Sequence, residues 1–115
     1  MADLRDTLDD LALLLSRAER SVEGRTFDDL MANEEAYDAL TYRLAMIGET
    51  CKKPPDELKA RHPHLPWREM AVFRNFASHD YFGIDAHLVW QAAISLEPVK
   101  IMMLEEVARI GGEER

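Results

Sequence analysis

The sequence predicts an all-α protein, an antiparallel bundle of four main helices with short extra helical turns. Three observations carry that prediction. Apolar residues recur at helical spacing, as where Leu4, Leu8, Leu11 and Leu15 fall at i, i+4, i+7 and i+11 to make one stripe. No segment shows sustained period-2 alternation, so no strand is expected. Capping residues and Gly or Pro stops divide the stripes at helix-length intervals. With 115 residues, the chain is expected to form a single domain over 1–115 and to bury roughly two thirds of its unfolded surface.

Each element follows in order. Asp3 caps the first helix, and Gly24 stops it. Thr26, Asp28 and Asp29 predict a short helical turn over 27–32. Asn33, Glu34 and Glu35 open a second long helix that turns Ala36, Leu40, Leu44, Ile47 and Cys51 inward and ends before Pro54 and Pro55. Pro55, Asp56 and Glu57 open another short turn, and the two prolines of the stretch 61–66 make it a loop. A third helix runs from about Trp67 to His79. Gly83 and the cap Asp85 separate it from a fourth over 85–110, with Pro98 as a kink or a restart.

Charge narrows the possible functions. Fourteen Lys and Arg against 22 Asp and Glu leave a net charge of −8. That argues against a broad basic surface for nucleic acid and against a basic amphipathic membrane peptide. The charge is uneven, however. Residues 1–50 hold 5 basic and 12 acidic side chains, 51–79 hold 6 and 3, and 80–115 hold 3 and 7. An anion site, if present, is expected in the middle stretch. The single cysteine, Cys51, excludes an internal disulfide and a cysteine-rich zinc site, and is expected to be buried. The apolar run Leu11–Leu15 is too short for a signal sequence or a membrane span, so the expected address is the cytoplasm.

The third helix carries the chemistry. At 100° per residue, Arg74, Ser78, Asn75 and His79 share an arc of about 140°, while Phe76, Phe73, Ala77 and Met70 fill the opposite, core-facing side. A guanidinium, a carboxamide, a hydroxyl and an imidazole stand where a plain solvated face would carry Lys and Glu. Such a set suits phosphodiester cleavage of RNA, whose 2′-hydroxyl is its own nucleophile. Histidine moves protons near neutral pH, and arginine grips the phosphate with two charge-assisted hydrogen bonds. One copy offers one histidine in the arc, so acid and base are more easily supplied by two copies facing each other. Plainer roles fit the same residues: Arg74 pairing with an acidic neighbour, and His79 capping the helix end.

Other candidates are weaker. His62, His64, His79 and His87 lack a familiar zinc spacing, so no metal and no cofactor is expected, and the loop histidines are expected at the surface. Trp67, Trp90, Phe73 and Phe76 could stack on bases but at helical spacing are expected in the core, and Ile101, Met102 and Met103 are expected in the core or on a dimer face. Lys52, Lys53, Lys59, Arg61 and Arg68 either line an approach for RNA or form ordinary solvated surface.

The string 74–81, Arg-Asn-Phe-Ala-Ser-His-Asp-Tyr, resembles the R-x4-H-x-Y signature of HepT-like proteins in the HEPN superfamily. Its flanks are similar too. Ile47-Gly48-Glu49 resembles the family's second-helix block, Pro63 to Arg68 its entry to the motif helix, and Tyr81 to Asp85 with Val89-Trp90 its following turn and fourth helix. The resemblance covers about residues 4–110. It implies a helical homodimer with a composite cleft, a metal-independent ribonuclease, and the toxin half of a type VII-like toxin–antitoxin pair. The implied antitoxin is an MntA-type minimal nucleotidyltransferase that silences the toxin by transferring AMP to the motif tyrosine. Arg74 and His79 are then the implied catalytic pair, Asn75 and Ser78 support them, and Tyr81 is the adenylylation acceptor. The alternative is a non-catalytic module that docks a minimal nucleotidyltransferase. Ala77-Ser78 departs from the bulkier residues common in relatives and implies a more open or more polar cleft.

Overall fold

A computed structural model describes residues 3–113, and every described element is helical. Helix α1 (Leu4–Val22) begins where the Asp3 carboxylate accepts the Asp6 N–H at 2.9 Å. It buries Leu8, Leu11 and Leu15 and ends at Gly24, whose φ of 70° is the left-handed conformation that glycine adopts without a Cβ clash. Helix α2 (Phe27–Met31) is one turn closed by a reciprocal Thr26–Asp29 capping box. Helix α3 (Glu34–Thr50) is capped by Asn33 and buries Leu40, Leu44 and Ile47. Cys51 follows it, 3% exposed, with burial holding its thiol protonated up to about 12.

Helix α4 (Asp56–Arg61) inserts Leu58 into the core. The motif helix α5 (Trp67–His79) leads into a 3-10 turn (Tyr81–Gly83) and then α6 (Ala86–Ile94), capped by Asp85. Helix α7 (Glu97–Glu113) is the last described element. The fourth helix foreseen over 85–110 is therefore two helices. Of the two expectations at Pro98, the restart is observed. Pro98 sits in the first turn of α7, where its missing N–H removes no intrahelical bond. The break at Ser95 and Leu96 leaves a largely apolar cavity of 440 Å³ against α3 and the start of α5.

Helix α3 is the centre of the bundle, with α1 on one flank and α5 on another, while α6 packs on both α3 and α1 and α7 packs on α1. One cluster of buried apolar side chains draws on α1, α2, α3, α4, α6 and α7, and Trp67, Met70 and Phe73 of α5 lean on its edge. Burying each such leucine contributes about 1.5–3 kcal/mol.

Two expectations are corrected. Phe76 is 52% exposed: α5 packs closely on α3 through Met70 and Phe73, and no described element covers the side that carries Phe76. His62 is buried, not at the surface: its Nε2 lies 2.7 Å from Glu106 Oε2, and its carbonyl accepts the Trp67 indole N–H at 2.9 Å. Glu106, itself 1% exposed, also receives the Arg61 fork at 2.7 and 3.2 Å. Those hydrogen bonds, Arg61's first, hold its carboxyl below the usual glutamate range. The Arg61–His62–Glu106 group thus ties the loop before α5 to α7. Met102 and Met103 are buried in the core, as one of the two readings had them, whereas Ile101 is 45% exposed and lies outside it.

Candidate active site on the motif helix

Gly48 positions the site. A Cβ built at this position would lie 2.1 Å from the backbone oxygen of Met70, so the α3–α5 crossing at this distance requires glycine. On either side of it, Ile47 is buried and Glu49 faces α5. The Glu49 Oε2 lies 3.1 Å from Arg74 Nε. Neither atom has a hydrogen-bond partner, so the N–H is not aimed at the oxygen and the contact is Coulombic. Partly exposed pairs of this kind contribute about 0–1 kcal/mol, little enough to yield to a phosphate. Among the described residues, the terminal nitrogens of Arg74 make no hydrogen bond.

The helix stays regular to His79, which keeps Arg74, Asn75, Ser78 and His79 on one arc. Asn75, Ser78 and His79 are exposed and Arg74 is half-buried. The chain then turns sharply, with Asp80 N–H donating to the Phe76 carbonyl at 2.8 Å. That turn delivers Tyr81 to α3, where its hydroxyl donates to Asp38 Oδ1. The hydrogen bond to Asp38, then burial, then the negative charge of Asp38, push the phenol up to about 12. Tyr37 meets the Tyr81 ring edge-on at 6.5 Å, and Phe82 beside it is 97% exposed.

The expected basic approach is only partly assembled. Lys52 pairs with Glu49 at 3.2 Å and so stands beside Arg74 through a shared carboxylate. Lys53 and Arg68 are exposed. The Arg61 fork meets the buried Glu106 and anchors the loop before α5 to α7. The histidines have separate surroundings. His62 lies on Glu106, with the His64 ring 6.1 Å away, whereas His87 stacks on Phe27 at 4.2 Å.

Sequence reasoning missed Glu49 and Asp38. Glu49 belongs to a block of family resemblance, but its partner lies across a helix crossing that no local pattern encodes. Asp38 gives no signal; it is one of several acidic residues near the start of α3.

The helical bundle thus presents R-x4-H-x-Y on the open side of α5, with the tyrosine folded back onto α3. The ribonuclease HepT-like family model matches residues 11–107, and the chain belongs to that family. It is 34% identical over 87 residues to a Thermococcus cleftensis protein named "Probable ribonuclease HepT", covering 76% of this chain and 79% of that one. It is 33% identical over 90 residues to a Methanocaldococcus jannaschii protein named "Putative RNase", covering 77% and 74%. No solved structure matches the chain. Among the described residues, no helix is long and apolar enough to cross a membrane.

Proposed function

We propose that this chain is the metal-independent endoribonuclease toxin of a two-component pair, acting in the cytoplasm. The observation that carries the reading is Arg74 and His79 on one accessible arc of α5, with the terminal nitrogens of Arg74 unengaged. Arg74 binds the scissile phosphate and the charge that develops on it, exchanging Glu49 for the phosphate oxygens. His79 takes the proton of the RNA 2′-hydroxyl, whose oxygen attacks the phosphorus. The P–O5′ bond breaks, the leaving 5′-oxygen takes a proton from the second copy's histidine, and a 2′,3′-cyclic phosphate remains. Asn75 and Ser78 orient the phosphate by hydrogen bonds. Lys52, Lys53 and Arg68 steer the RNA backbone toward the arc.

A homodimer completes the site in this reading. Each copy has one histidine in the arc, and beside it lies an uncovered apolar strip: Val72 is 41% and Phe76 52% exposed. Facing motif helices would bury that strip and bring two His79 side chains to one cleft.

Tyr81 is the regulatory acceptor, and Asp38 supports that role. A minimal nucleotidyltransferase of the MntA type would present a nucleoside triphosphate. The Tyr81 oxygen attacks the α-phosphorus, pyrophosphate leaves, and Asp38 takes the phenolic proton. The attached AMP then places a negative phosphate and a bulky base two residues from His79, repelling RNA. Growth on induction of this chain alone and with such a nucleotidyltransferase, with mass spectrometry of Tyr81, tests the pairing. Growth arrest relieved together with an added AMP on Tyr81 is the expected result. Relief that persists in Tyr81→Phe, or harmless expression of the chain alone, contradicts it.

A further inference from the structure

Five of the basic residues lie in the acidic stretch 1–50, and three of them, Arg20, Arg25 and Arg43, gather at one place. Ser21, 5% exposed at the end of α1, is the organiser. Its hydroxyl accepts Arg43 Nη1 at 2.7 Å, and its carbonyl accepts Arg25 Nη1 at 3.0 Å. The same Arg43 nitrogen donates to the Arg17 carbonyl at 3.0 Å, and the Ser21 hydroxyl donates to that carbonyl at 3.2 Å. Two guanidinium groups are thereby fixed through one nitrogen each. Beside them opens a cavity of 550 Å³ lined by Arg20, Arg25, Arg43, Ser21, Asn33 and Glu35.

No ion pair links Arg17, Arg20, Arg25 or Arg43 to a carboxylate among the described residues, although the chain carries 22 acidic side chains. Glu35 lines the cavity and Arg25 exerts a through-space pull on Asp29, yet neither acid closes to ion-pair distance. Arginines cannot relieve their mutual repulsion by losing protons, so a pre-positioned, unneutralised cluster favours an anion. Guanidinium forks match phosphate oxygens. The lining holds no aromatic side chain, which removes the stacking surface a nucleobase requires. The site therefore reads phosphate and not base.

Its place in the fold separates it from the cleft. Arg43 bonds to α1, whereas Glu49 faces α5; the two are about 120° apart around α3 and about 9 Å apart along it. We propose that the Arg20–Arg25–Arg43 pocket is a phosphodiester-binding exosite that holds the RNA substrate's backbone away from the point of cleavage. This rests on the ribonuclease reading above.

The test measures binding of a fluorescein-labelled single-stranded RNA to the His79→Ala protein, which leaves the RNA uncut, across a range of salt concentrations. Adding Arg20→Gln and Arg25→Gln is expected to weaken binding about tenfold and to flatten the slope of log K against log salt by about 0.7 for each phosphate no longer neutralised. Arg20→Lys with Arg25→Lys, which keeps both charges, should retain most of the slope. In the native protein, inorganic phosphate is expected to shift the amide resonances of Ser21 and Ala36. Shifts with phosphate but unchanged RNA affinity and slope in the double variant would mean a free-anion site and overturn the RNA assignment. Absence of both effects overturns the pocket altogether. Native protein that neither binds nor cuts RNA but still shows the phosphate shifts would instead bring down the ribonuclease reading and, with it, the RNA assignment.

Discussion

Tyr81 and Arg74 are each held by a carboxylate from α3, and the two contacts differ in kind. Asp38 accepts a directed hydrogen bond from the Tyr81 phenol, whereas Glu49 meets Arg74 at 3.1 Å without one. The tyrosine is therefore fixed, and the arginine is restrained but exchangeable. The tyrosine contact has a spectroscopic consequence. Because the folded state favours the protonated phenol, the contact stabilises the fold below about 10 and that contribution fades as pH rises toward about 12. An absorbance titration of native protein against Tyr81→Phe should show one phenol ionising near 12, and Asp38→Asn should bring it down toward 10. Tyr81 ionising at the ordinary value in native protein would rule out the Asp38 bond. The polar arc of α5 was legible because all four of its residues lie on one helix turn-and-a-half. Asp38 and Glu49 were not, since each reaches the motif across a tertiary crossing.

At the scale of elements, one glycine sets the site's geometry. The stripes of α1 and α3 and the caps Asp3, Asn33 and Asp85 were readable from local chemistry, and the structure places them as read. The exposed Phe76 and the buried His62 were not readable. Helical spacing tells which residues share a face, but not whether another element covers that face, and a loop between prolines gives no hint that Glu106 waits 44 residues on. The Gly48–Met70 crossing is the testable element. Gly48→Ala forces α5 off α3, because the clash is with backbone that no rotamer change relieves. It should cost about 1–3 kcal/mol in a denaturant titration, and it should loosen the Glu49–Arg74 pair enough to lower RNA cleavage. Gly111→Ala, where a Cβ meets nothing within 4 Å, is the matched control. Equal stability of the two variants would show that the crossing is not as close as described.

For the whole molecule, a net charge of −8 first speaks against RNA, and the fold reorganises that number. The motif helix and its approach carry Lys52, Lys53, Arg68 and Arg74, while three arginines of the acidic stretch 1–50 line one cavity beside Ser21. Segment counting could find the first concentration of positive charge but not the second, because the Ser21 cluster is gathered from three separate stretches of chain. The acidic remainder then limits non-specific binding and makes what binding there is steeply dependent on salt. The central claim is that Arg74 and His79 cut RNA without a metal, and purified protein incubated with RNA in excess chelator tests it most directly. The expected result is cleavage that persists in the native protein and falls at least a hundredfold in both Arg74→Ala and His79→Ala. Cleavage that His79→Ala leaves unchanged, or that appears only when a divalent metal is restored, would contradict it.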